Sequence, residues 1–94
     1  MFATYEDYKA AGSLFDGDYA YIPEDMRDAM IRYVEDRVAP GHFLTAVITN
    51  NLVNAVGRAD ARNLSLLKEY VQWFYNVAPS ACYGSVEKMK SWVK

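Results

Sequence analysis

Apolar residues recur along the chain at spacings of three and four, the period of helices that bury one face. Pro23 opens the first clear segment, at a position where its missing N–H costs nothing. Glu24, Asp25 and Asp28 complement the positive helix start, and Arg37 suits the negative end. Met26, Met30, Tyr33, Val34 and Val38 form the inward stripe. Ala39-Pro40-Gly41 ends the segment, because proline disfavours helical geometry in the residue before it. A second helix is expected from about His42 to Arg58, with Phe43, Leu44, Val47, Ile48, Leu52, Ala55 and Val56 as a broad apolar face. Its β-branched residues lower its intrinsic propensity, so packing must hold it.

Asp60 or Asn63 can cap a third helix, whose stripe is Leu64, Leu67, Val71, Phe74, Tyr75 and Ala78. Pro79 follows its end. Ser80 to Gly84 reads as a loop. Ser85 caps a last short helix with Val86, Met89, Trp92 and Val93 inward. Ahead of Pro23, residues 4–11 read as a short helix capped by Thr4 and stopped at Gly12. Residues 13–22 read as an arm or loop around the turn signal Asp16-Gly17-Asp18. Strand signals are poor throughout. The expected fold is all-α: one domain over 1–94, with an N-terminal arm (1–22) and a helical core (23–94) of three main helices and a short C-terminal one.

The chain has 94 residues, of which 52% are hydrophobic and 15% aromatic. Eight Tyr, four Phe and two Trp exceed what so small a core needs, so some belong at the surface or a subunit contact. Homo-oligomerisation is therefore expected. Net charge is −2, unevenly spread: residues 1–40 hold nine acids and four bases, residues 41–94 three acids and six bases. The basic part is too weakly charged to grip duplex DNA by counterion release, but it can hold a small anion or an acidic protein patch. The single cysteine, Cys82, excludes an internal disulfide and fits a reducing cytoplasm. No apolar run approaches the length of a membrane span, and no signal peptide opens the chain.

Conventional catalysis finds little support. His42, the only histidine, starts a helix, where it can contact an anion, act as a base, or serve as an ordinary cap-proximal residue. Cys82 lacks a CxxC partner and reads as packing. No metal-ligand spacing, phosphate-binding glycine pattern or cofactor motif occurs, so no metal, no cofactor and no enzyme are expected. The acidic groups Glu24/Asp25/Asp28 and Glu35/Asp36 share a helix with Arg27, Arg32 and Arg37, which reads as a solvated, salt-bridged face.

One polar feature stands out. In a continuous second helix, Asn50, Asn54 and Arg58 stand at i, i+4 and i+8 on one face, with Asn51 beside them. Asparagine is a poor helix residue, so this clustering carries a local cost. Three explanations stay open: amides bridging helices or subunits, a solvated face, or a ligand face. In the last, the amides meet base edges or hydroxyls while Arg58 and Arg62 meet phosphate or carboxylate. Tyr70, Trp73 and Tyr75 on the third helix are candidate stacking surfaces or, alternatively, core.

The runs Ile22-Pro23-Glu24-Asp25-Met26, Arg32-Tyr33-Val34-Glu35 and Pro40-Gly41-His42-Phe43-Leu44-Thr45-Ala46-Val47 resemble a group of small accessory proteins of tailed bacteriophages and prophages. So do Asn50, Leu52, Arg58-Ala59-Asp60, Ala78-Pro79-Ser80, Gly84-Ser85 and Trp92. The similarity spans roughly residues 22–93. It implies a phage origin and action in the cytoplasm of an infected bacterium, and it supplies no activity or site residue. Three functions fit this context: sequestration of a small nucleotide-like immune signal, at a site between subunits; inhibition of a host defence or regulatory protein, through the acidic residues 6–36; and a ligand-free oligomeric accessory role.

Overall fold

A computed structural model describes residues 14–94, and the helix expected over 4–11 lies outside the described residues. Among the described residues every regular element is helical. A 3-10 turn, Gly17–Tyr21, leads into α1, Glu24–Ile31, which continues as a π-helical stretch, Arg32–Asp36. Then follow α2 (His42–Ile48), α3 (Leu52–Arg58), α4 (Ala61–Ser65), α5 (Leu67–Asn76), a 3-10 turn (Ser80–Cys82) and α6 (Val86–Trp92).

The expected single helix from His42 to Arg58 is two helices. Asn50 lies in the left-handed region at φ 62°. The Asn50 N–H donates to the Val47 carbonyl at 3.2 Å and the Asn51 N–H to the Ala46 carbonyl at 2.8 Å. That pair of bonds is a Schellman closure of α2, with asparagine at the position glycine usually fills. Asparagine tolerates this backbone because its short amide can bond locally. Asn51 then caps α3: its Oδ1 accepts from the Asn54 N–H at 3.2 Å. The Gly84 N–H satisfies the Ile48 carbonyl at 2.9 Å. The asparagines end one helix and start the next, so the i, i+4, i+8 stack does not exist.

The expected third helix is also divided, into α4 and α5, at Leu66 (φ −110°, ψ 11°). Asp60 supplies the cap, accepting from the Asn63 N–H at 2.7 Å. The break rotates the inward face: Tyr70, Trp73 and Phe74 are buried, while Leu64 and Tyr75 of the expected stripe are exposed. Val38 and Val86, expected inward, are exposed too. Ser85 caps α6 as expected, accepting from the Lys88 N–H at 3.1 Å.

Trp73 centres the core. Phe15 stacks on it at 5.2 Å, Phe74 meets it edge-on at 5.1 Å, and its Nε1 donates to the Leu14 carbonyl at 2.9 Å. Aromatic pairs of this kind add about 0.5–1.5 kcal/mol beyond burial. Residues 14–22, expected as an arm or loop, are thereby tied down: Ile22 is fully buried, and Arg27 donates to the Ile22 and Ala20 carbonyls.

The C-terminal helix is fastened to the π-helical stretch that follows α1. Tyr33 donates to the Cys82 carbonyl at 2.6 Å, and Trp92 Nε1 donates to the Tyr33 carbonyl at 3.0 Å. Arg37, left-handed at φ 59°, lays its guanidinium over the Trp92 ring at 4.1 Å. The Lys94 N–H donates to the Arg37 carbonyl at 3.1 Å. α6 so held faces α2 across a groove. No helix among the described residues is long and apolar enough to cross a membrane.

Candidate functional site

A groove of about 540 Å³ runs between α2, the start of α3, and α6. Thr45 and Thr49 come from α2, Asn51 and Asn54 from the cap of α3, and Val86, Met89, Lys90 and Val93 from α6 and its end; Ala39 and Lys94 complete it. Lys90 and Val86 share a helix face four residues apart, as do Met89 and Val93, so one side of α6 presents both an apolar strip and a cation.

The polar inventory is specific. Thr49 Oγ1 donates to the Thr45 carbonyl at 2.8 Å, and Thr45 Oγ1 to the Pro40 carbonyl at 3.3 Å. Their hydroxyl protons are committed, so toward the groove they offer acceptor lone pairs. Asn51 Oδ1 is engaged by the cap, which leaves its amide N–H groups as donors. Asn54 offers both functions. Lys90 and Lys94 add two ammonium groups, and among the described residues no Asp or Glu side chain lines the groove. Such a surface accepts a ligand with negative charge, hydrogen-bond donors and an apolar body. The volume falls in the range of small-molecule pockets, about 300–1,000 Å³.

A smaller crevice of about 160 Å³ also opens at the α2–α3 junction. Ala46, Val47, Leu52, Ala55, Leu67, Val71 and Tyr83 wall it, with Asn50 and Asn51. Asn51 borders both depressions.

The expected site residues are thus dispersed. Asn51 and Asn54 line the groove and Asn50 the crevice, while Arg58 and His42 are exposed and line neither. Arg62 is committed elsewhere: it pairs with Asp25 at 3.2 Å on the surface, and that hydrogen-bonded carboxylate raises its pKa. Tyr70 and Trp73 are core, not stacking surfaces. Tyr70 donates to the buried Asn63 Oδ1 at 2.7 Å, and burial pushes its hydroxyl up to about 12. Tyr75 is exposed, 59% accessible, but borders neither depression. Cys82 is fully buried, its thiol directed to the Pro79 carbonyl and pushed up to about 12 by burial.

Sequence reasoning missed Thr45, Thr49, Lys90 and Lys94. The available signal was the basic spacing Lys90/Lys94, one turn apart at the end of the last helix. Among the described residues no group of three or more His, Cys, Asp and Glu side chains could hold a metal ion. No family model, curated protein or solved structure matches the chain.

Proposed function

We propose that this chain is a non-enzymatic accessory protein that binds and sequesters a small anionic, nucleotide-like ligand in the α2–α6 groove. The carrying observation is the groove's chemistry: Lys90 and Lys94 beside the Asn51 and Asn54 amides, over the apolar Val86, Met89 and Val93, with no carboxylate side chain among the described residues of the lining. Ammonium groups attract phosphate, the amides and threonine oxygens match base and ribose edges, and the apolar strip takes a planar body. A fatty acid would satisfy the cations but leave the threonine acceptors without donors. The resemblance to phage accessory proteins supplies the biological setting: a nucleotide signal of host immunity, captured in the cytoplasm of the infected bacterium. Calorimetry and thermal shift with cyclic dinucleotides and ADP-ribose derivatives test the reading. Binding heat and a raised melting temperature are expected for at least one ligand, and a flat response across the panel removes it.

One observation favours a second reading, a protein-binding role. Leu52, Val53 and Val56 are exposed at 66%, 82% and 45% on one short helix, an apolar ridge without charge. Such a ridge suits a subunit contact or a host protein. Light scattering of wild type and Val53→Glu separates the two partners: dissociation of a defined oligomer marks self-association, while a monomer in both forms leaves a host protein.

A further inference from the structure

α3 is thinly supported by its own chain. Of its residues, Leu52–Arg58, only Ala55 is buried. A helix this short is marginal in water and depends on packing. Yet Leu52, Val53 and Val56 are exposed, and Val53 is the most exposed large hydrophobic among the described residues. Gly57 sharpens the anomaly. Glycine inside a helix loses more backbone freedom than alanine would. The usual reasons for that cost are missing here: its φ is not positive, and a Cβ would meet nothing within 4 Å among the described residues. Val53 and Gly57 lie one turn apart on one face of α3. A bare position on an exposed apolar face lets another backbone approach closely, so the reason for Gly57 lies outside the chain.

The face extends beyond α3. Leu52 and Ala55 also wall the crevice, together with Leu67 and Val71 of α5. Val56 follows Leu52 by one helical turn, so the ridge and one crevice wall belong to the same helix. Tyr75, exposed, follows Val71 by one turn of α5. Among the described residues, neither the ridge, the crevice lining nor this stripe of α5 carries a charged side chain.

We infer that α3 and the adjoining crevice form a two-fold interface with a second copy of this chain. A two-fold contact requires a self-complementary patch, and this one carries a protruding ridge beside a recess. It lacks the like charges that would repel an identical face, and it lacks the charges that steer and select a foreign protein. A stable contact buries about 800 Å² per partner, about a seventh of this chain's 5407 Å² surface. The ridge alone is too small for that, so the contact takes in the α5 stripe with Tyr75, and the asparagines beside α3 form its polar rim. This rests on the protein-binding reading of the ridge given above, commits it to one occupant, and is independent of the groove's ligand.

Sedimentation velocity over a concentration series tests it. Wild type is expected to pass from monomer to dimer, and Val53→Glu should raise the dimer dissociation constant at least tenfold. Gly57→Gln separates interface from helix stability, because glutamine is a better helix former than glycine. Its dilute, monomeric form should melt at or above the wild-type temperature while its dimer dissociation constant rises at least tenfold. Lys90→Ala/Lys94→Ala, in the groove, should leave that constant within twofold. If either interface variant fails to fold, NMR of the wild type on dilution decides: shifts at residues 52–57, Val71 and Tyr75 support the interface, and shifts confined to other residues overturn it. A wild type that is monomeric at every concentration overturns it and leaves the ridge to a host protein and the groove to its ligand. A dimer indifferent to both Val53→Glu and Gly57→Gln overturns it as well.

Discussion

Substitutions at Asn50 should separate two accounts of the asparagine cluster by sign. In the structure Asn50 is left-handed and closes α2, and its backbone makes the bonds that matter. Alanine in that conformation pays a steric cost of about 1–2 kcal/mol that asparagine partly escapes and glycine does not pay. Asn50→Ala should therefore destabilise by about 1 kcal/mol, and Asn50→Gly should match or slightly exceed wild type. For a domain of this size, 1 kcal/mol moves the melting temperature by about 4–8 °C. Were the residue inside an uninterrupted helix, the order would invert. Alanine would gain up to about 0.7 kcal/mol of propensity, and glycine would lose stability relative to asparagine. Thermal unfolding by circular dichroism, with urea midpoints as a cross-check, reads the order directly. A melting temperature for Asn50→Ala above wild type, with Asn50→Gly below, would refute the helix-closure reasoning.

Two further outcomes follow from the core. Tyr70→Phe strands the buried Asn63 Oδ1 without its donor and should cost about 1–3 kcal/mol. Pairing it with Asn63→Leu in a double-mutant cycle should show a coupling of at least about 0.5 kcal/mol, and strict additivity would contradict the bond. Cys82, buried and held protonated up to about pH 12, should resist a disulfide reagent at pH 8 in the native protein and react fully in guanidinium. Rapid stoichiometric labelling of native protein would contradict its burial.

Much of the fold was legible in the sequence because local chemistry marks it. Pro23 at the start of α1, Asp60 before α4 and Ser85 before α6 are punctuation whose physics depends on neighbouring residues only. The breaks at Asn50–Asn51 and Leu66 were harder. An Asn-Asn pair can line a face or end one helix and cap the next, and the periodicity is equally good either way. Leu66 carries no breaking signal, so the resulting rotation of Tyr70 and Trp73 into the core is a tertiary outcome. The groove was illegible for a related reason. Thr45 and Lys90 line one groove because Trp92 fastens α6 to Tyr33 and Arg37, residues 59 and 55 positions away that no window of sequence contains.

The claim that the groove takes an anion through its lysines is tested most directly by calorimetric titration of one bound nucleotide into wild type, a Lys90→Ala/Lys94→Ala variant and Arg62→Ala. Both lysines are exposed, Lys90 in the last turn of α6 and Lys94 beyond its end, so the double variant should keep the wild-type fold. The account predicts at least a tenfold loss of affinity for the double variant and no more than a twofold change for Arg62→Ala, whose guanidinium is engaged by Asp25. Equal affinity in wild type and the lysine variant, or a loss confined to Arg62→Ala, would contradict it.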